Sequence, residues 1–84
     1  MAEQKNPTKE EIEQEDRKLR YLRLLVQFSL NVIAQTELTL EEALDIVENV
    51  KQQACRLFPG KEEAFEIIYR PRFNRLIKQK FSLH

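Results

Sequence analysis

LRYLRLLVQFSLNVIA, residues 19–34, is the most apolar stretch of the chain, and its pattern constrains the whole fold. Eleven of its 16 residues are apolar. At about 100° per residue, a helix gathers four of the five polar residues, Arg20, Arg23, Gln27 and Asn31, into one stripe about 80° wide. The apolar side chains then cover about 240° of the surface, whereas an ordinary surface helix needs an apolar stripe of about 100°. The stretch therefore predicts a helix that needs cover on more than one side.

Self-association is the simplest way to provide that cover. The later helices of one chain can each shield only a limited arc, on the side of Leu22 and Val26. A contiguous exposed apolar patch usually marks an interface, and a two-fold pairing closes such a patch. The competing arrangement is a monomer whose third and fourth helices wrap both remaining sides. The predicted homodimer interface consists of Tyr21, Leu24, Leu25, Phe28 and Val32.

Two capping boxes set the starts of the first two helices. Thr8 precedes Glu11 by three residues, and Thr39 precedes Glu42 by the same spacing, which satisfies two backbone amides at a helix start. The first helix is predicted to run to about Gln35 and the second over about 40–58. Their charged faces are expected to be solvated.

The last part of the chain contains a predicted break. Pro71 lacks a backbone N–H and disfavours helical geometry at the residue before it. Without a break, the apolar residues after Pro71 would face about 120° away from the stripe before it. We therefore predict a bend or an interruption within residues 69–72, so that the segment is either a kinked helix or two short helices, about 61–69 and 71–81. The expected apolar side of the first of these is Ala64, Phe65, Ile67, Ile68 and Tyr69.

These segments together predict an all-α fold, a small bundle of three main helices with the last one broken or kinked at Pro71. One Gly and three Pro residues disfavour a many-stranded β fold, because tight turns between strands need such residues. Residues 1–7 are expected to be a disordered N-terminal lead-in, and residues 8–84 a single helical domain.

The residue types argue against catalysis and against a bound metal or cofactor. The chain has one histidine, His84, at its last position, and one cysteine, Cys55. Neither a glycine-rich phosphate loop nor a Cys/His metal spacing occurs in the sequence. We expect no enzyme activity and no cofactor. A lone cysteine, a polar N-terminus and an apolar stretch interrupted by arginines predict a cytoplasmic protein with no membrane partner.

A basic segment near the end of the chain is the second candidate site. Guanidinium and aromatic groups alternate over residues 69–75, which suits phosphate contact and base stacking. The alternative is that these bases stay solvated or pair with the acidic face of residues 41–48, and the formal net charge of zero favours that alternative. The possible partner-binding residues are Arg70, Arg72, Arg75, Lys78 and Lys80.

The sequence thus predicts a non-enzymatic helical interaction module that acts as a homo-oligomer, with a protein partner other than itself left open. The alternative is a small nucleic-acid-binding protein that uses the basic C-terminal segment.

Overall fold

The computed structural model describes residues 8–82, and four helices follow one another in this part of the chain. They are α1 (Lys9–Gln35), α2 (Leu40–Leu57), α3 (Glu62–Ile68) and α4 (Arg70–Phe81). No strand occurs within residues 8–82, so the prediction of a small all-α bundle is confirmed. The expected lead-in, residues 1–7, lies outside the described residues, as does His84.

Both predicted capping boxes are present. The Thr8 hydroxyl accepts from the Glu11 backbone N–H at 3.1 Å, and the Glu11 carboxylate accepts from the Thr8 N–H at 3.4 Å. The same pair of bonds joins Thr39 and Glu42 at 3.1 and 3.0 Å. Each reciprocal pair satisfies amides that have no partner inside the helix, which fixes where α1 and α2 begin.

A tight turn reverses the chain between α2 and α3. The Lys61 N–H donates to the Phe58 carbonyl at 3.2 Å across Pro59 and Gly60. Gly60 has a φ of 81°, which is the left-handed conformation that the third residue of a type II turn requires. Glycine adopts this conformation without the steric cost that a Cβ would impose.

The last break lies within the predicted interval of residues 69–72, at Tyr69, but it is two residues before Pro71 and not at the proline. Residues 8–82 contain four helices, where three with a broken or kinked last one were predicted. Pro71 lies in the first turn of α4, where its missing N–H would have no partner inside the helix in any case. The break lets Phe65 of α3 and Phe73 of α4 both be buried.

The core forms where α4 packs against both α1 and α2, while α3 packs against α2. The buried side chains of α2 are two alanines and two valines, and such small side chains allow the neighbouring helices to approach closely. The buried apolar side chains are Leu22, Val26, Ile33, Ala43, Val47, Val50, Ala54, Phe65, Phe73 and Ile77.

The first half of α1 carries no buried side chain. Leu22 is the first buried residue of this helix, and in residues 9–21 only Lys18 is half-buried. We call residues 9–21 the arm. The molecule measures 58 by 20 by 16 Å, and α1 alone, with 27 residues, spans about 40 Å at 1.5 Å per residue. The arm therefore accounts for much of the length of the molecule.

Candidate functional site

Three of the five predicted interface residues of α1, namely Tyr21, Leu24 and Phe28, are exposed on the side of the helix that faces away from the core. Leu24 is 66% exposed, Phe28 67% and Tyr21 50%, whereas Leu22 and Val26 are buried. Leu25 and Val32 are half-buried, and Leu25 packs against the core. We call Tyr21, Leu24, Leu25, Phe28 and Val32 the α1 patch. The fold leaves three large apolar side chains of this patch in contact with solvent.

The spacing within the patch is suited to pairing with another helix. Tyr21, Leu24 and Phe28 follow one another at three and four residues, the spacing of an apolar seam between two packed helices. Arg17 and Asn31 occupy the next positions of that seam on either side. The apolar part is therefore short and is bounded by polar groups at both ends.

The α1 patch borders α2 through Tyr21. The Tyr21 hydroxyl donates a hydrogen bond to Oε1 of Gln53, at 3.2 Å. A shallow surface depression lined by Tyr21, Gln53, Arg56 and Leu57 follows this contact. The hydrogen bond holds the phenol ring against α2, so one edge of the patch has a fixed geometry while Leu24 and Phe28 stay uncovered.

The structure divides the five basic residues of the second candidate site. Arg72, Arg75 and Lys78 are exposed along α4, and within residues 8–82 no carboxylate lies within ion-pair distance of them. We call these three residues the basic stripe. Arg70 and Lys80, in contrast, are half-buried and make contacts within the chain.

Arg70 belongs to an ion-pair cluster that joins α2, α3 and α4. Its guanidinium donates to Glu66 and to Glu48, each at 2.7 Å, and Lys51 donates to Glu66 at 2.8 Å. Hydrogen bonds from Arg70 and then from Lys51 lower the pKa of Glu66 from its ordinary value of 4.5 to about 2. Arg70 therefore has a structural role, and this agrees with the alternative that the bases pair with the acidic face of residues 41–48.

Lys80 closes the end of α1. Its ammonium donates to the backbone carbonyls of Ile33 and Thr36. The last carbonyls of a helix have no partner inside the helix and carry partial negative charge, so an ammonium there is stabilising. From the sequence alone, Lys80 is one of several basic residues near the end of the chain, and it groups with them as a candidate for partner binding. The sequence does not show that α4 ends beside α1.

An apolar pocket that the sequence did not predict lies where the arm leaves the bundle. Its volume is about 210 Å³, and its walls include Leu19 and Leu22 of α1, Phe58, and Phe65 and Ile68 of α3. We call it the root pocket. Within the expected apolar side of α3, Ile67 and Ile68 are 68% and 56% exposed. α3 has only seven residues, so it presents a single side chain, Phe65, to the core.

Two further observations concern other classes of function. Within residues 8–82, no group of three His, Cys, Asp or Glu side chains is arranged to hold a metal ion. In the same part of the chain, none of the helices combines the length and the apolar character that a membrane crossing requires.

Comparisons with protein-family models, with curated proteins and with solved structures each gave no match for this chain.

Proposed function

We propose that this chain is a non-enzymatic helical interaction module that works as a homo-oligomer, most simply a two-fold dimer that pairs through the α1 patch. The observation that carries the proposal is the two-thirds exposure of both Leu24 and Phe28 on one side of α1. Covering a Leu or Phe side chain contributes about 1.5–3 kcal/mol. In a two-fold interface each of these residues contributes twice.

The charges on α1 favour an antiparallel arrangement of the two helices. Arg17, Arg20 and Arg23 lie beside the apolar part of the patch, and residues 25–35 carry no charge. A parallel pairing would place the arginines of the two copies opposite one another. An antiparallel pairing places them opposite the uncharged half, which avoids this repulsion. We propose the cytoplasm as the location, because a single cysteine fits a reducing compartment.

Sedimentation equilibrium over a wide concentration range tests the proposed dimer. At high salt, Leu24→Glu or Phe28→Glu should dissociate the dimer that pairs through the α1 patch, because each change buries a carboxylate without a partner at that interface. Both residues are largely exposed within one chain, so circular dichroism should still show a helical protein. Gln27→Glu adds the same charge outside the patch and should leave the mass unchanged. A wild-type protein that is monomeric at every concentration would contradict the proposal.

Nucleic-acid binding by the basic stripe is the second candidate function. Its support is the exposure of Arg72, Arg75 and Lys78 without carboxylate partners in the described part of the chain. They recur every three residues on α4, so their charges follow one side of the helix and could contact successive phosphates.

Binding to a DNA or RNA duplex, measured by fluorescence anisotropy at several salt concentrations, tests this second function. Replacing Arg72, Arg75 and Lys78 with Gln should weaken binding and flatten its dependence on salt, since fewer counterions are released. Replacing Arg17, Arg20 and Arg23 removes the same charge from α1 and is the matched control. Absence of binding by the wild-type protein at low salt would exclude the function.

A further inference from the structure

The arm continues the apolar stripe of the core beyond the bundle. Ile12 and Leu19 precede the buried Val26 and Ile33 at successive seven-residue intervals, so all four lie on nearly the same side of α1. Within the bundle this side is covered, but Ile12 is 49% and Leu19 38% exposed. A surface that the fold covers along the second half of α1 is left uncovered along the first half.

The root pocket lies where this uncovered stripe begins. Its interior is apolar, with Leu19, Phe58 and Ile68 among its walls, and Lys61 also lines it. The Lys18 ammonium lies 6.0 Å from the centroid of the Phe58 ring. Lys61 therefore lines the apolar recess and Lys18 lies beside it, and the Lys18 ammonium also pairs with Glu15 of its own helix at 3.4 Å. Basic side chains beside an apolar recess suit an apolar side chain that has carboxylates on either side of it.

The arm itself contains such a side chain. Ile12 is flanked by Glu10, Glu11 and Glu13, and residues 10–16 include five acids and no base. The next seven residues, 17–23, include four bases and no acid. Two arms that pair antiparallel around the boundary between these segments bring each acidic segment against a basic one, whereas a parallel pairing brings like charges together.

We propose that a second copy of this chain docks its arm antiparallel on the first, so that Ile12 of each copy enters the root pocket of the other. The position of the root pocket and the distribution of charge favour the same register. If Ile12 lies opposite the segment from Leu19 to Leu22, the two-fold axis passes near Asp16. The change from acidic to basic residues also lies at this point, between Asp16 and Arg17. Electrostatic pairing of two antiparallel arms would place that change at the two-fold axis.

This pairing uses a different surface from the α1 patch. At about 100° per residue, Leu24 and Phe28 point about 150° away from Ile12 and Leu19. The two contacts are compatible on one molecule. Each contact relates two copies by a two-fold rotation. Copies joined by both contacts form a closed tetramer if the two rotations together generate a closed symmetry, and an open chain if they do not.

A variant that lacks the α1 patch isolates the arm contact, so failure of one proposal does not imply failure of the other. Leu24→Glu combined with Phe28→Glu should remain dimeric in sedimentation equilibrium at low salt and should dissociate as salt increases, because charge pairing on exposed helices is screened. Adding Ile12→Glu should give a monomer. Adding Gln14→Glu places the same charge about 160° away on the helix and should leave the dimer intact. A double variant that is monomeric at low salt would overturn the proposal, even if it bound an apolar fluorescent probe in the root pocket.

Disulfide crosslinking of the same double variant, with Cys55→Ser added, tests the register. Asp16→Cys should form a disulfide between position 16 of one copy and position 16 of the other, because this position lies near the proposed two-fold axis. Two copies of the Ile12→Cys variant should not form a disulfide with each other. A mixture of the Ile12→Cys and Leu19→Cys variants should form a disulfide between one copy of each. Self-crosslinking of Ile12→Cys would indicate parallel arms and would overturn the antiparallel pairing.

Discussion

Lys80 shows how a single side chain can connect two ends of this fold. α1 has no basic residue in its last turn, and its C-terminal carbonyls would otherwise depend on water and on the Thr36 hydroxyl, which donates to the Val32 carbonyl at 2.5 Å. The Lys80 ammonium, from the last turn of α4, donates to the Ile33 and Thr36 carbonyls. It therefore stabilises the end of one helix and holds the end of another beside it.

Replacing this ammonium should have a measurable cost. We expect Lys80→Met to lower the free energy of unfolding by about 1 kcal/mol, since a charged donor to two helix-end carbonyls is lost while the aliphatic stem is kept. Lys78→Met removes an exposed charge two residues away and should change stability by less than about 0.5 kcal/mol. Urea unfolding followed by circular dichroism measures both changes. Equal effects of the two substitutions would show that Lys80 has no capping role.

At the scale of the elements, the ion-pair cluster around Glu66 determines how α2, α3 and α4 meet. α3 is short and buries only Phe65, so apolar packing alone gives it few constraints. Glu66 on α3 pairs with Lys51 of α2 and with Arg70 of α4. The Arg70 guanidinium also lies 5.7 Å from the centroid of the Phe65 ring, which adds a cation–π contact at the same joint.

The lowered pKa of Glu66 predicts how stability depends on pH. Because the pKa is about 2 in the folded chain and near 4.5 otherwise, the contribution of the ionised carboxylate is complete above about pH 4.5. It is lost progressively as the pH falls from there to about 2. We expect unfolding free energies from urea titrations to fall over this interval, and to fall less steeply in Glu66→Gln. Glu63→Gln, an exposed change on the same helix, should keep the wild-type slope. A Glu66→Gln slope as steep as that of the wild type would contradict this assignment.

For the whole molecule, local sequence signals predicted where each long helix starts. Tertiary contacts determined the position of the last break and the pairing of residues that are distant in the sequence. The threonine–glutamate spacings and the apolar periodicity located α1 and α2 to within about one residue. The break before α4 was predicted from apolar phase, but its position at Tyr69 depends on Pro71 fitting into a new first turn. The contact of Lys80 with the end of α1 was beyond such reasoning. For Arg70 the sequence offered only pairing of the bases with the acidic face of residues 41–48, and it did not indicate Glu66 as a partner.

The sequence likewise predicted one of the candidate surfaces, the α1 patch, but not the root pocket. The width of the apolar stretch at residues 19–34 predicted that some of its side chains face away from the core, as Leu24 and Phe28 do. The root pocket could not be predicted in this way, because its walls come from α1, α2, α3 and the turn between α2 and α3. A run of apolar residues indicates that cover is needed, but only the packing of several elements shows where a recess forms.

The length of the arm also determines how a single copy of this protein diffuses. A compact chain of this length has a radius of gyration of about 12 Å, whereas this one has 16.1 Å. Friction in solution depends on shape as well as on mass, so one copy should elute from a gel-filtration column ahead of a globular standard of equal mass. Its tumbling should be anisotropic, with bond vectors along α1 relaxing differently from those across it. An early elution volume is therefore expected even of the monomer, and only methods that measure mass independently of friction count the copies.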